Sequence, residues 1–124
     1  MPKKILVADD DPGIIDAMQI LLEDEGYEVI VTMDGETIPA MIEKKPDLVF
    51  LDIWMSGVSG NTVCQQLKSD DATKNIPVIM FSANRDTEEI AVQCGADDFL
   101  SKPFEIKQLL DVTRKYIGEP TQEL

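Results

Sequence analysis

The 124-residue chain has no histidine, two cysteines, one tryptophan, and eleven basic residues against twenty-four acidic ones. Each shortage removes a class of chemistry. Without histidine there is no Ser-His-Asp or Cys-His nucleophile activation and no His-ligated zinc. Cys64 and Cys94 lack the second pair that an all-cysteine zinc site needs, and they read as reduced core thiols. A formal charge of -13 repels nucleic acid and anionic lipid. No apolar run approaches the ~20 residues of a membrane span. The short run Ile5 to Ala8 leads straight into Asp9, Asp10 and Asp11, which is no signal peptide. These absences predict a cytoplasmic chain with neither nucleic acid nor membrane as a partner. Its chemistry must come from carboxylates, hydroxyls and lysines.

With 44% hydrophobic residues the chain can build one core without staples. The apolar pattern alternates between two periods. Ile5-Leu6-Val7-Ala8 is a continuous apolar run, as in a strand buried on both faces. Asp11 then offers an N-cap and Pro12 a first helical residue, and Ile14, Ile15, Met18, Leu21 and Leu22 recur at helical spacing up to Gly26. A second strand carries Tyr27, Val29 and Val31. A second helix begins near Ile38, with Pro39 in its first turn, because an interior proline would cost ~3 kcal/mol. Pro46 bars its continuation.

Strand 3 spans Asp47 to Asp52, and helix 3 carries Val63, Cys64 and Leu67. Strand 4 runs from Pro77 to Phe81 and ends at Ser82. Helix 4 carries Ile90, Ala91 and Cys94 and closes at Gly95. Strand 5 spans Ala96 to Leu100, ending near Lys102-Pro103, and Ile106, Leu109, Leu110, Thr113 and Ile117 mark helix 5. Five successive βα units predict an α/β fold, a doubly wound five-stranded parallel sheet with right-handed crossovers. The domain is expected over residues 1–118, followed by a polar, frayed tail at 119–124.

In such a sheet ligands bind beyond the carboxyl ends of the strands. Those ends carry Asp9 and Asp10 (strand 1), Asp52 (strand 3), Ser82 (strand 4) and Lys102 (after strand 5). Singly, each has a plain explanation as a solvated acid, a cap, a turn former or a surface charge. Jointly their coincidence with strand ends points to one site. Three crowded carboxylates raise each other's pKa unless a cation joins them, so neutralising Asp9 is expected to relieve repulsion. All-oxygen donors suit Mg²⁺, with Mn²⁺ possible. Lys102 and Ser82 suit phosphoryl oxygens.

The order and spacing of four segments, Ile5–Asp10, Pro46–Asp52, Pro77–Ala83 and Gly95–Phe104, resemble the receiver domain of two-component response regulators, of the single-domain chemotaxis-regulator type. The resemblance implies a flavodoxin-like sheet in the order 2-1-3-4-5. It implies that Asp52 is the phospho-acceptor and that Asp9, Asp10, Asp52 and the backbone carbonyl of Trp54 hold Mg²⁺. Ser82 and Lys102 would contact the phosphoryl oxygens, Phe99 would be the aromatic switch residue, and the Lys102-Pro103 bond would be cis. The implied partners are a histidine kinase or histidine phosphotransfer protein and a downstream protein effector. That effector would be bound on the face of helix 4, strand 5 and helix 5, by a monomer or weak phosphorylation-dependent dimer. The chain would be no enzyme beyond self-phosphorylation and autodephosphorylation. Departures from the family pattern are Ser56 in place of proline, which would loosen its loop, bulky Trp54, and Pro39 in helix 2.

The alternatives are a Mg²⁺-dependent small-molecule phosphohydrolase and an inert flavodoxin-like interaction module. Against the first, Trp54 stands where a second acid would follow the acceptor. Against the second, every residue of the phosphorylation set is present. No Gly-rich phosphate loop follows strand 1. Ser59 is no nucleophile elbow, having neither a strand directly before it nor a histidine to activate it.

Overall fold

A computed structural model describes residues 2–55, 57–83 and 86–120. The strands are β1 (Lys4–Ala8), β2 (Glu28–Thr32), β3 (Leu48–Asp52), β4 (Val78–Ser82) and β5 (Asp98–Ser101). The helices are α1 (Pro12–Asp24), α2 (Ile38–Ile42), α3 (Gly60–Ser69), α4 (Thr87–Cys94) and α5 (Ile106–Ile117). All strand pairs are parallel, in the order β2-β1-β3-β4-β5. The chain first steps outward from β1 to β2, then crosses back to β3. The order therefore reverses between β1 and β3, and a crevice opens beyond their carboxyl ends.

Alternation along the strands divides the core into two layers. Ile5, Val7, Phe50, Ile79 and Phe81 face α1 and α5, meeting Ile15, Met18, Leu22, Leu109 and Ile117. Leu6, Val49, Leu51, Val78 and Met80 face the other side, meeting Ile38, Val63, Cys64, Leu67, Ala91 and Cys94. The three central strands are buried along nearly their whole length, which is why they read as unbroken apolar runs.

Asp11 caps α1 through Gly13 N–H at 2.9 Å, with Pro12 at the first helical position. α2 is only five residues long and follows a 3₁₀ turn, Gly35–Thr37, that Asp34 caps. Pro39 lies in the first turn, where its missing N–H has no helical partner to lose. Strands β2 to β5 begin one or two residues later than the apolar pattern suggests, and at β3 and β5 an acid is the reason. Asp47 lies outside β3 because its carboxylate accepts the Lys4 N–H at 2.8 Å while its own N–H donates to the Lys4 carbonyl. Asp97 does the same for the first residue of β4: Val78 N–H donates to its carboxylate at 2.8 Å, and Lys68 pairs with it at 2.5 Å.

The expected fraying of the tail does not extend to its first residues. Pro120 presents its carbonyl to the Lys3 N–H at 2.7 Å, satisfying a donor that precedes β1. Residues 121–124, and the Ser56 expectation, lie outside the described residues.

Candidate phosphoryl and metal site

The residue after β1 is Asp9, whose N–H continues the ladder to the Thr32 carbonyl of β2 at 3.1 Å. Its side chain is fully buried. One carboxylate oxygen accepts the Asp11 N–H at 2.8 Å, so the cap of α1 also fixes Asp9. The other lies 2.6 Å from Lys102 Nζ. Asp10, the next residue, is exposed. Asp52 ends β3, is 5% exposed, and has an oxygen 3.6 Å from the same ammonium. Lys102 thus ties the ends of β1 and β3 together from beyond β5.

Besides these ion pairs, a backbone hydrogen bond and a ring contact hold the lysine there. Its N–H donates to the Ser82 carbonyl at 2.9 Å, extending the β4–β5 ladder by one step. The Lys102-Pro103 bond is cis. The ammonium stands 4.7 Å from the centroid of the Phe81 ring, whose negative face attracts it. Phe81 reads in the sequence as one more residue of an apolar strand, and only alternation along β4, which turns it toward the α1/α5 side, could have marked it as the platform under Lys102.

Oxygens of Asp9, Asp10 and Asp52 lie within 4.8 Å of one another. Asp52 is the member whose pKa is shifted, raised to about 6. Burial is the main cause and the Asp9 carboxylate the next. Lys102 and the Trp54 backbone N–H pull in the other direction. The donor set is hard and all-oxygen, partly exposed at Asp10, and carries three carboxylates against one ammonium. That combination fits an oxygen-seeking divalent ion such as Mg²⁺ or Mn²⁺.

The remaining expected residues surround this cluster unevenly. Ser82 is buried at the end of β4. Phe99 is half-buried on β5, opposite Met80, and packs on the α3/α4 core layer. By alternation it shares that face with Ser82, whereas Asp9, Asp52 and Phe81 share the parity of the opposite face. Phe99 therefore lies on the opposite face of the sheet from Asp9 and Asp52. Trp54 is 60% exposed beside it. Ser59 occupies the N-cap position of α3 with its hydroxyl 2.9 Å from that of Thr62, a local turn contact rather than an activated nucleophile. Gly60 was not singled out from the sequence, yet a Cβ there would stand 2.0 Å from the Asp52 carbonyl oxygen. Only a glycine lets α3 start against the strand that presents Asp52.

The family model described as the response regulator receiver domain matches residues 5–114. The chain is 38% identical over 113 residues to the DNA-binding response regulator MtrA of Mycolicibacterium smegmatis, covering 89% of this chain and 48% of that protein. It is 42% identical over 113 residues to the DNA-binding dual master transcriptional regulator RpaA of Synechocystis, covering 89% and 46%. The chain thus spans about half the length of these curated relatives. Among solved structures it is similar to the receiver domain of NtrX from Brucella abortus, with a TM-score of 0.83 and 35% identity over 91% of this chain and 97% of that one. It is also similar to the chemotaxis response regulator CheY4 of Vibrio cholerae, with a TM-score of 0.86 and 25% identity over 94% and 99%.

Proposed function

The chain belongs to the response regulator receiver domain family, a phosphorylation-dependent signalling module of two-component systems, and from that premise we propose that Asp52 is its phosphoryl acceptor. It is a signalling protein rather than a classical enzyme.

An ionised Asp52 oxygen attacks the phosphorus of the donor. An O–P bond forms as the bond from phosphorus to the donor's histidine nitrogen breaks, leaving an acyl phosphate on Asp52 and the electron pair on the donor. A carboxyl group with a pKa near 6 is mostly ionised at neutral pH and so available as a nucleophile. Lys102, already 3.6 Å from Asp52, shifts its ammonium to a phosphoryl oxygen. The Ser82 hydroxyl donates to another. Asp9, Asp10, Asp52 and the Trp54 carbonyl would hold the metal ion, which when bound would neutralise charge on the phosphoryl oxygens.

The added group brings about -1.5 to -2 charges to a buried corner, and the response is read on α4, β5 and α5 through Ser82 and Phe99. A histidine kinase or histidine phosphotransfer protein supplies the phosphoryl group, and a protein effector reads the changed face. The observation that carries this reading is the convergence of Asp9, Asp52 and Lys102 at the reversal of strand order. Intact-mass measurement with acetyl phosphate and Mg²⁺ tests it. The wild type gains one phosphoryl group with Mg²⁺ and none in excess chelator without Mg²⁺, whereas Asp52→Asn gains none in either. An equal gain by Asp52→Asn would refute the assignment.

A further inference from the structure

Because α2 stops after five residues, the Gly35–Ile42 stretch leaves a groove of about 490 Å³ against α3. Its floor is apolar, with Ile38, Val63 and Leu67, and Val58 forms one side. Two exposed acids, Glu36 and Asp70, stand among its lining residues. This volume is within the roughly 300–1,000 Å³ of ligand pockets, enough for a few apolar side chains. We infer that the groove docks a segment of a partner protein that carries apolar side chains at helical spacing between lysines or arginines.

Charge selects that occupant. The chain's -13 repels a second copy of itself, acidic proteins and anionic lipid, and favours a basic segment. The acids beside an apolar floor match a helix with leucine-like side chains at i, i+3 and i+4 and cations alongside. The site also adjoins the loop leaving Asp52. A Cβ at Gly35 would lie 2.5 Å from the Val58 carbonyl oxygen, so the floor of the 3₁₀ turn and the Val58 backbone are in direct contact. An occupied groove therefore braces the segment between β3 and α3.

The binding claim does not depend on the acceptor assignment and is tested on the unphosphorylated full chain. A 14-residue peptide of leucine and lysine in the i, i+3, i+4 pattern is titrated into isotope-labelled protein and followed by amide shifts. Counterparts replace lysine with glutamate or leucine with glutamine. The Leu-Lys peptide should shift Val58, Val63 and Leu67 first, and neither counterpart should. Glu36→Gln with Asp70→Asn should weaken binding about fivefold. Gln66→Trp, at an exposed lining position, should weaken it about tenfold or more by filling the mouth, with the melting temperature unchanged. Shifts spread over the acidic surface, equal binding of a counterpart, or binding that neither variant weakens would overturn the inference.

Discussion

The Lys102 ammonium changes how the acid cluster stores its repulsion. The sequence reading places three carboxylates together and expects relief from neutralising Asp9. The structure gives Asp9 the ammonium at 2.6 Å and the Asp11 N–H, so Asp9→Asn would remove a buried ion pair. The cost falls on Asp52 instead, through its burial first and the Asp9 carboxylate second. Its pKa rises from 3.8 to about 6 on folding, so the native state binds this proton more tightly than the unfolded chain. The stabilising contribution of that proton is complete below about pH 4 and is lost as pH rises through 6. Asp52→Asn, which stays neutral, should therefore stabilise the metal-free protein by up to about 3 kcal/mol near pH 7.5, with the difference nearly vanishing near pH 4. Urea unfolding at both pH values measures it, and a variant no more stable than wild type near pH 7.5 would contradict the assigned strain. The four charged members of this site were legible because they interrupt apolar runs at strand ends. Phe81 was not, because an aromatic in a buried strand looks the same whether or not a lysine rests on its ring.

At the scale of elements, the carboxyl ends of β1, β3, β4 and β5 bring Asp9, Asp52, Ser82 and Lys102 to one edge of the sheet. α3 shows how tight this is. Gly60 N–H donates to the Ile53 carbonyl at 2.9 Å, and its missing side chain lets the helix begin against the Asp52 backbone. Gly60→Ala forces a methyl group to within 2.0 Å of a carbonyl oxygen, so the helix or β3 must move. The expected cost is about 2–3 kcal/mol, read by thermal or urea unfolding, although alanine has the better helix propensity. A variant as stable as wild type would mean that α3 shifts freely. Helical and strand periods made the five strands and five α-helices legible, down to the start of α2 at Ile38 with Pro39 in its first turn. The short span of α2 and the delayed starts of β3 and β5 were not. Asp47 and Asp97 leave the strand pattern to pair with backbone amides of neighbouring strands, and such partners are distant in sequence. The groove beside α3 was hidden for the same reason, since its walls come from three separate segments.

Over the whole molecule, a charge of -13 makes two effects of added salt look alike unless they are separated. Any salt screens general self-repulsion, over a Debye length of about 10 Å at 0.1 M, and so raises the stability of this acidic chain. A divalent ion bound at the cluster of Asp9, Asp10 and Asp52 would add a second contribution, since that arrangement exists in the native state and not in the unfolded chain. At ten times its dissociation constant that contribution is about 1.4 kcal/mol, or roughly 5 °C in melting temperature for a domain of this size. MgCl₂ and NaCl at matched ionic strength should therefore differ by about that amount in the wild type. Asp10→Ala removes the most accessible carboxylate, and its melting temperature should respond to the two salts nearly equally. Its own ion pairs are unaffected, since Lys102 is held by Asp9 and Asp52. A Mg²⁺ increment that survives intact in Asp10→Ala would place the ion elsewhere on the acidic surface and remove the metal from this site.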